Sequence, residues 1–309
     1  MTQSIAKPRQ VDLSTLYDRL RKLGFNRDFI LSNGLPDWWC EEYEASNDAA
    51  VTAAMYFSRR FNLDLRSLLN PELNLTFETE NTPFLKTSQH GNLKLVVAQN
   101  LALRVSELVA YTYKHKYQSI LGMPARNIWA EIFNQYSGGL TLESLIAFCN
   151  QYGIPVVHFA KFPNAVEQFY GIVTKFQDRP VILVSLEDAS PDRLLFNIAH
   201  QLGHIALGHL ENGLTISEEE FETLDLDDDE IAANDFASQL LSGQSDQVDF
   251  CLSAKNLLSS QSIAIKTSQQ INQNLIQYLE WDRLGYDNQE YLAMTLGFDI
   301  CDIQEHWSC

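Results

Sequence analysis

The run PDRLLFNIAHQLGHIALGH, residues 191–209, constrains the fold of this chain more than any other stretch. Ser190, Pro191 and Asp192 together predict the start of a helix, because they supply an N-cap oxygen, a proline at the first helical position and an acid in the first turn. Gly208 predicts its end. Apolar residues recur at helical spacing between these limits and predict one buried face: Leu194, Leu195, Ile198, Leu202, Ile205 and Ala206. The chain must therefore supply a core against which this helix packs.

Two histidines share another face of the same helix. His200 and His204 are four residues apart, so their Cβ atoms are expected about 5–6 Å from each other. Imidazoles at that separation can bind one metal ion at roughly 2.0–2.1 Å. A third ligand has to come from another element, and Glu230, which opens the next predicted helix, is the natural candidate, with Asn234 one turn further on the same side. Alone, an HxxxH pair is a weak signal for a metal site, because short motifs match by chance.

A small β-sheet is predicted just before this helix. Ile154 to Phe159 reads as a strand, and two β-rich runs, Ile172–Phe176 and Val181–Leu186, flank the turn QDRP as a hairpin. The remaining segments have mostly helical spacing, including a long amphipathic helix over 93–120 in which His115 lies between two lysines and is expected to be solvated. The sequence therefore predicts an α+β fold that is predominantly helical.

These segments, taken as a set, resemble the ImmA/IrrE family of metallopeptidases. Members of that family carry a strand, then a helix with the pattern RF-x-x-AHELGH-x-x-LGH, then E-x-x-AN-x-FA-x-x-LL. This chain reads LLFNIAHQLGHIALGH and EIAANDFASQLL, and its lead-in LESLIAFCNQYGIPV and hairpin GIVTKFQDRPVILVS match the family's approach to the helix. The resemblance covers about residues 138–245. It implies a zincin-like domain in which a small sheet accompanies the HxxxH helix.

The resemblance also implies roles for individual residues. His200, His204 and Glu230 match the ligands of a Zn²⁺ ion, and Asn234 matches a position that could orient a ligand from the second shell. His209 matches a frequent third histidine of the family motif, whose role is left open. The alternative for His209 is a residue at a helix C-terminus that interacts with the helix dipole.

Gln201 departs from the family pattern, which has Glu at this position in an HExxH motif. In zinc peptidases that Glu takes a proton from zinc-bound water and passes it to the leaving amine. A Gln amide can hydrogen-bond the water but cannot accept its proton at neutral pH. The expected cost is on the order of 10²–10⁴ in rate. Acids in the run Glu218–Glu222 could in principle replace the base, but the acid-rich segment 211–229 is read as a solvated loop.

The first helices resemble the Cro/repressor-type helix-turn-helix of the XRE family. The match is best in AAMYFSRRFNLDLRSLL, residues 53–69. Recognition helices of that family usually offer Gln, Ser, Asn or Arg to DNA. In this chain the corresponding stretch is acidic and aromatic: Asp37, Trp38, Trp39, Glu41, Glu42 and Glu44. These residue types suit packing or protein contacts better than DNA, and a helical bundle without DNA-binding function is the alternative.

The distribution of charge also disfavours nucleic acid as a partner. The net charge is −18 over 309 residues, and it is uneven: residues 1–125 hold 14 Lys/Arg and 13 Asp/Glu, whereas residues 126–309 hold 8 and 27. Such a surface repels phosphate and loses the counterion release that drives nucleic-acid binding. We therefore expect a protein partner or protein substrate, and no direct DNA binding.

The chain is expected to be cytoplasmic. Its five cysteines show no CxxC spacing and fit reduced thiols better than a disulfide framework. The N-terminus, MTQSIAKPRQVD, lacks the apolar core of a signal peptide. Since no run of about 18 apolar residues occurs, no membrane association is predicted.

Four segments are predicted along the chain: a helix-turn-helix-like helical domain over 1–80, a helical linker region over 81–135, an ImmA/IrrE-like domain over 136–250 and a C-terminal helical extension over 251–309.

The leading hypothesis for function is a catalytically impaired, zinc-binding regulator that acts through protein–protein recognition. The first alternative is an active zinc metallopeptidase that cleaves a repressor-like regulatory protein. The second alternative is a DNA-binding transcriptional regulator.

Overall fold

The chain divides into two compact units of secondary structure. The computed structural model describes residues 11–78, 93–137, 139–166, 169–185, 191–212, 215–217, 228–243 and 261–307. Unit 1 comprises Met1–Arg104 with Phe162–Glu167, and unit 2 comprises Val105–Lys161 with Gln168–Cys309. The described part of the chain is predominantly helical with one small sheet, so the predicted α+β class is confirmed. None of its helices has the length and apolar character needed to cross a membrane.

Unit 1 is built from short helices around an aromatic core. Its helices are α1 (Leu13–Lys22), α2 (Arg27–Phe29) continued by a π turn (Ile30–Gly34), α3 (Glu41–Glu44), α4 (Ala49–Phe61) and α5 (Leu65–Leu69). The rings of Phe25 and Phe61 stack at 4.6 Å between centroids, and Phe57 stacks on Phe61 at 5.8 Å. A Cβ at Gly34 would lie 2.6 Å from Phe61 Cζ. Glycine therefore lets the π turn approach this stack.

Helix α6 (Leu93–Thr112) ends earlier than predicted. The sequence predicts one helix over 93–120, but the chain after Thr112 is extended and pairs with a distant segment. Tyr113 forms an antiparallel bridge with Leu279, and the Glu280 N–H donates to Thr112 O at 2.8 Å. This tertiary pairing replaces the local hydrogen bonds of a further helical turn, which helical periodicity alone cannot reveal.

Unit 2 contains the sheet. Its strands are β1 (Val156–His158), β2 (Gly171–Phe176), β3 (Arg179–Val184) and β4 (Thr215–Ser217). The strand order is β1-β3-β2-β4; β1 pairs with β3 in parallel, and the other pairs are antiparallel. The predicted strand and hairpin are both present, but the hairpin turn is tighter than QDRP. Residues 179 and 180 already belong to β3, paired with residues 176 and 175.

Unit 2 also contains helices before, between and after these strands. They are α7 (Ala125–Gln135), α8 (Leu142–Gln151), α9 (Pro191–Leu207), α10 (Asp228–Ser242), α11 (Gln261–Ile276), α12 (Tyr286–Leu296) and α13 (Ile300–Trp307). Helix α8 begins with a reciprocal capping box between Thr141 and Ser144. Helix α9 begins at Pro191 as predicted, while the N-cap Ser190 and the acids Glu218–Glu222 lie outside the described residues.

The core of unit 2 lies between α9 and the sheet. Side chains from α8, β3, α9 and α10 bury themselves completely there: Leu145, Ile182, Ile198, Leu202 and Leu240. The outer edge of β1 is held by Asn272 on α11. Its Oδ1 accepts the His158 N–H at 2.9 Å, and its Nδ2 donates to His158 O at 2.8 Å and Leu296 O at 3.0 Å. His158 is thus a buried strand residue, tied down through its backbone.

Candidate metal centre

Helices α9 and α10 come together at a glycine. A Cβ at Gly203 would lie 3.2 Å from Ala233 O and 3.2 Å from Phe236 Cβ, so a larger residue would push α10 away. The close approach is possible because both helices place small or apolar residues at the contact. As a result, the first turns of α10 lie beside the face of α9 that carries the two histidines.

Three potential metal ligands converge at this contact. His200 Nε2 lies 3.0 Å from His204 Nε2 and 3.2 Å from Glu230 Oε2, and His204 Nε2 lies 3.4 Å from Glu230 Oε1. One ligand atom from each of the three residues falls within 4.8 Å of the others. The side chains of His200 and His204 are 3% and 0% exposed, and that of Glu230 is 17% exposed. Two imidazoles and a carboxylate form a donor set that zinc accepts.

The hydrogens of these groups indicate that a cation fits among them. Asn234 Oδ1 lies 3.0 Å from His200 Nδ1 and can only accept, so Nδ1 carries the ring hydrogen. In the neutral ring, His200 Nε2 then offers only a lone pair, which faces both His204 Nε2 and a Glu230 oxygen. Such contacts are repulsive unless a cation lies between them. A single proton can form a hydrogen bond in one of these contacts, whereas a metal ion can bind all three donor atoms at once.

His209 and Asp229 extend the cluster on the other side of His204. His209 opens a short 3₁₀ turn after α9, and its Nδ1 lies 2.9 Å from His204 Nδ1. Its Nε2 lies 3.4 Å from Asp229 Oδ1. If His204 Nε2 keeps its lone pair for a metal, Nδ1–H donates to His209 Nδ1, and His209 Nε2–H faces the Asp229 carboxylate. Every ring nitrogen then has a suitable partner.

The protonation states of the cluster are those that metal ligands need. Burial lowers the pKa of His204 below its ordinary value of 6.5, and the neighbouring Glu230 carboxylate offsets only part of this effect. For Glu230, burial raises the pKa, but hydrogen bonds with His200 and His204 outweigh burial and lower it from 4.5 to about 2. At neutral pH His204 is therefore neutral and Glu230 is a carboxylate.

Gln201 lies completely buried beside strand β2. A Cβ at Gly171 would lie 2.9 Å from Gln201 Nε2 and 3.1 Å from Asn197 Oδ1. Glycine at position 171 thus leaves room for the carboxamide of Gln201 between α9 and the sheet. Neither oxygen nor nitrogen of this carboxamide can take up a proton at neutral pH.

The structure thus brings the sequence-predicted residues His200, His204 and Glu230 together, with Asn234 against His200 and His209 against His204. The dipole alternative for His209 does not account for its contact with His204. Sequence reasoning missed Asp229 as a member of this cluster. The available signal was its position directly before Glu230, on the same first turn of α10.

The acidic and aromatic stretch of unit 1 forms a cluster of its own. The Trp38 ring lies 5.1 Å from Tyr43 and 6.1 Å from Tyr56, both edge-on, and Trp39 Nε1–H donates to Glu44 Oε1 at 3.2 Å. Trp38 is still 49% exposed. The aromatic residues of this stretch therefore pack partly against each other, and its acidic and indole groups are partly exposed to solvent.

Comparison with known proteins agrees with this geometry. Residues 149–242 match the family model of the M78 peptidases, described as an IrrE N-terminal-like domain. The match supports ImmA/IrrE family membership; it covers less than a third of the chain and includes the whole cluster of α9 and α10. A search of curated proteins and a search of solved structures returned no significant match.

Proposed function

From the IrrE-like segment and its cluster, we propose that this protein binds one zinc ion through His200, His204 and Glu230. The observation that supports the proposal is the convergence of two buried imidazoles and the partly buried Glu230 carboxylate, whose facing lone pairs favour a cation between them. Asn234 and His209 fix the ring hydrogens of the two histidines on the sides away from the metal. Such partners commonly orient metal-bound histidines.

Metal analysis of the full-length protein, purified without chelator, tests this proposal. We expect about one zinc per chain for the wild type, as in sites with three protein ligands. His200→Ala and Glu230→Ala should each lose most of the metal, while His115→Ala, an exposed histidine outside the cluster, should keep it. Zinc far below one per chain in the wild type, or a zinc content that His200→Ala leaves unchanged, would overturn the proposal.

We propose further that the protein is a catalytically impaired peptidase. A zinc ion at this position would supply a polarised water and a Lewis acid for a substrate carbonyl. The chain would have to supply the group that accepts the proton of that water, and Gln201 can hydrogen-bond but not accept it. We expect peptidase activity to be reduced on the order of 10²–10⁴ relative to a Glu-bearing site.

The variant Gln201→Glu measures this loss directly. With a fluorescently labelled unfolded casein as the probe, zinc-loaded wild type should cleave at the rate of the His200→Ala control. Gln201→Glu should exceed both if the substitution restores the base. The proposal of impairment would be contradicted if the wild type cleaves casein, His200→Ala abolishes the cleavage and Gln201→Glu does not increase it. The protein would then be an active metallopeptidase.

The biological role that follows is regulation through protein recognition. The support is the net charge of −18 and the exposed acidic and aromatic stretch around Trp38, both of which favour a protein surface over DNA. A gel shift with mixed-sequence duplex DNA should detect no salt-sensitive binding at about micromolar concentration, the range of nonspecific binders. Salt-sensitive binding well below that concentration would favour the DNA-binding regulator instead.

A further inference from the structure

A pocket of unit 2 shares no residue with the metal centre and collects positive charge. The basic pocket, as we name it, has a volume of about 560 Å³, and its principal lining residues are Lys114, His115, Lys116, Tyr136, Asn150 and Tyr278. We infer that it binds a small anion in which phosphate is joined to a planar ring, the chemical class to which nucleotides belong. A volume of this size is typical of small-molecule sites, which span about 300–1,000 Å³.

The positive charge of this pocket is not neutralised by the surrounding protein. The lysines Lys114 and Lys116 flank His115 in the sequence, and all three residues line the pocket. Within the described ranges, no carboxylate lies at ion-pair distance from any of the three side chains. The carboxylate of Glu131 accepts hydrogen bonds from Gln151, which lines the pocket, and from Tyr152. An anionic ligand would provide the missing counter-charge.

The basic run is held in place by its backbone. The Lys114 N–H donates to Tyr278 O, and the Gln118 N–H donates to Tyr152 O, both at 2.9 Å. Gly153 has a φ of +69°, and a Cβ there would lie 2.5 Å from Lys116 O. Glycine is thus required where this segment crosses the end of α8. Because the segment is anchored on both sides, binding would not have to order it, which favours affinity.

Aromatic and amide groups complete the walls. Lys114 Nζ lies 5.6 Å from the Tyr278 ring centroid, and the His115 ring meets that ring edge-on at 4.9 Å. The His115 Nδ1–H donates to Asn150 O at 2.9 Å, since a carbonyl can only accept. Asn150 itself is only 4% exposed. The pocket therefore combines cations for a phosphate group with the partly exposed rings of Tyr136 and Tyr278, against which a planar ring can pack.

Calorimetric titration of the full-length protein tests the inference with three probes: AMP, ribose 5-phosphate and inorganic phosphate. We expect AMP to bind best. The double variant Lys114→Gln/Lys116→Gln should weaken AMP binding by roughly tenfold or more, the loss expected for hydrogen bonds to charged groups. The control Lys161→Gln/Lys175→Gln removes the same charge from unit 2 and should leave AMP binding near the wild-type value. Zinc content should be the same in the wild type and in both double-lysine variants, which separates this site from the proposed metal centre.

The variant Tyr278→Leu separates the contribution of the ligand's planar ring to the affinity from that of its phosphate. It should reduce the affinity for AMP toward that for ribose 5-phosphate, while ribose 5-phosphate itself binds as before. The inference is overturned if AMP does not bind the wild type or if inorganic phosphate binds as tightly as AMP. It is equally overturned if the two double-lysine variants lose the same affinity, because the effect would then come from net charge alone.

Discussion

His204 has hydrogen-bonding partners on both sides of its ring, and the outer side is the less obvious one. Its Nδ1 contacts His209 Nδ1 at 2.9 Å, and His209 in turn faces Asp229 at 3.4 Å. A neutral imidazole carries one hydrogen, so a partner that accepts on Nδ1 leaves the lone pair on Nε2. His209 and Asp229 therefore select the tautomer of His204 that can bind a metal ion.

His209→Ala should weaken zinc affinity by about 10–100-fold, the usual cost of removing such an outer partner. Asp229→Asn should cost less, because the amide oxygen can still accept from His209. Competition with a chromophoric zinc chelator measures both values. The matched control is Asp228→Asn, which removes the same charge one residue earlier and should bind zinc as the wild type does. Equal losses in the Asp228 and Asp229 variants would show that only net charge matters.

The lowered pKa of His204 makes the stability of the metal-free protein depend on pH. In the unfolded chain His204 takes up a proton as pH falls through about 6.5, whereas in the folded protein burial keeps it neutral to a lower pH. The unfolded state thus binds more protons, and the free energy of unfolding decreases as pH falls below about 6.5.

Urea unfolding of chelator-treated protein between pH 7.5 and 5.5 checks this dependence. The wild type should lose stability toward the acidic end, and His204→Gln should show a flatter profile. His115→Gln, at an exposed histidine, should retain the wild-type slope. If His204→Gln and His115→Gln have the same slope as the wild type, the buried histidine does not control the effect.

At the level of single residues, the i,i+4 spacing predicts that His200 and His204 lie together, and the resemblance to the ImmA/IrrE family adds Glu230 to them. The contact between His209 and Asp229 was beyond sequence reasoning. It depends on a 3₁₀ turn after α9 and on how closely α10 approaches, and neither follows from residue spacing.

Helices α9 and α10 pack directly against each other, and the distance between them is set at Gly203. Alanine normally favours a helix over glycine by about 1 kcal/mol. At this position, however, the added Cβ would lie 3.2 Å from Ala233 O and from Phe236 Cβ. We expect Gly203→Ala to destabilise the protein by about 1–3 kcal/mol, as overpacking does, and to weaken zinc binding because Glu230 moves away from the histidines.

Thermal unfolding with and without zinc measures both effects of Gly203→Ala. Leu207→Ala is the comparison variant, since it changes a side chain of the same helix that is 44% exposed and adds no atom. A Gly203→Ala protein that is more stable than the wild type and binds zinc equally well would mean that the helices can separate without cost.

Element types were predictable where periodicity was strong, and element ends were not. Helix α9 and the hairpin agree with the sequence-based prediction. Helix α6 ends at Thr112 because its continuation pairs with residues 278–280, a partner from far along the chain. The hairpin is tighter than expected because Gln177 adopts a φ of +47°, which places residues 179 and 180 in β3.

On the scale of the whole molecule, the residues of the proposed metal centre belong to unit 2 alone. All of its members, from residue 200 to residue 234, lie within that unit. A ligand that binds only the folded state stabilises the protein, and the effect grows with the ligand concentration relative to Kd.

The helix-turn-helix-like character of the N-terminal helices and the division of the chain into four segments both stay predictions.

Hydrogen exchange followed by mass spectrometry can locate this stabilisation. Zinc should slow amide exchange in peptides from α9 and α10 and leave peptides from α1 and α4 of unit 1 unchanged, because local opening free energies differ between regions. His200→Ala should abolish the zinc effect. Equal slowing in α4 and α9 would show that the units do not respond separately.

The first turns of α10 also determine where this chain can tolerate insertions. Glu230 and Asn234 contact the histidines of α9, and Asp229 contacts His209 in the turn that follows α9. One extra residue inside the helix would rotate everything beyond it by about 100°. An insertion N-terminal to Asp228 preserves the register of all three residues, whereas one between Glu230 and Asn234 separates the carboxylate from the amide. Length variation should therefore be acceptable before this helix and excluded from its first two turns.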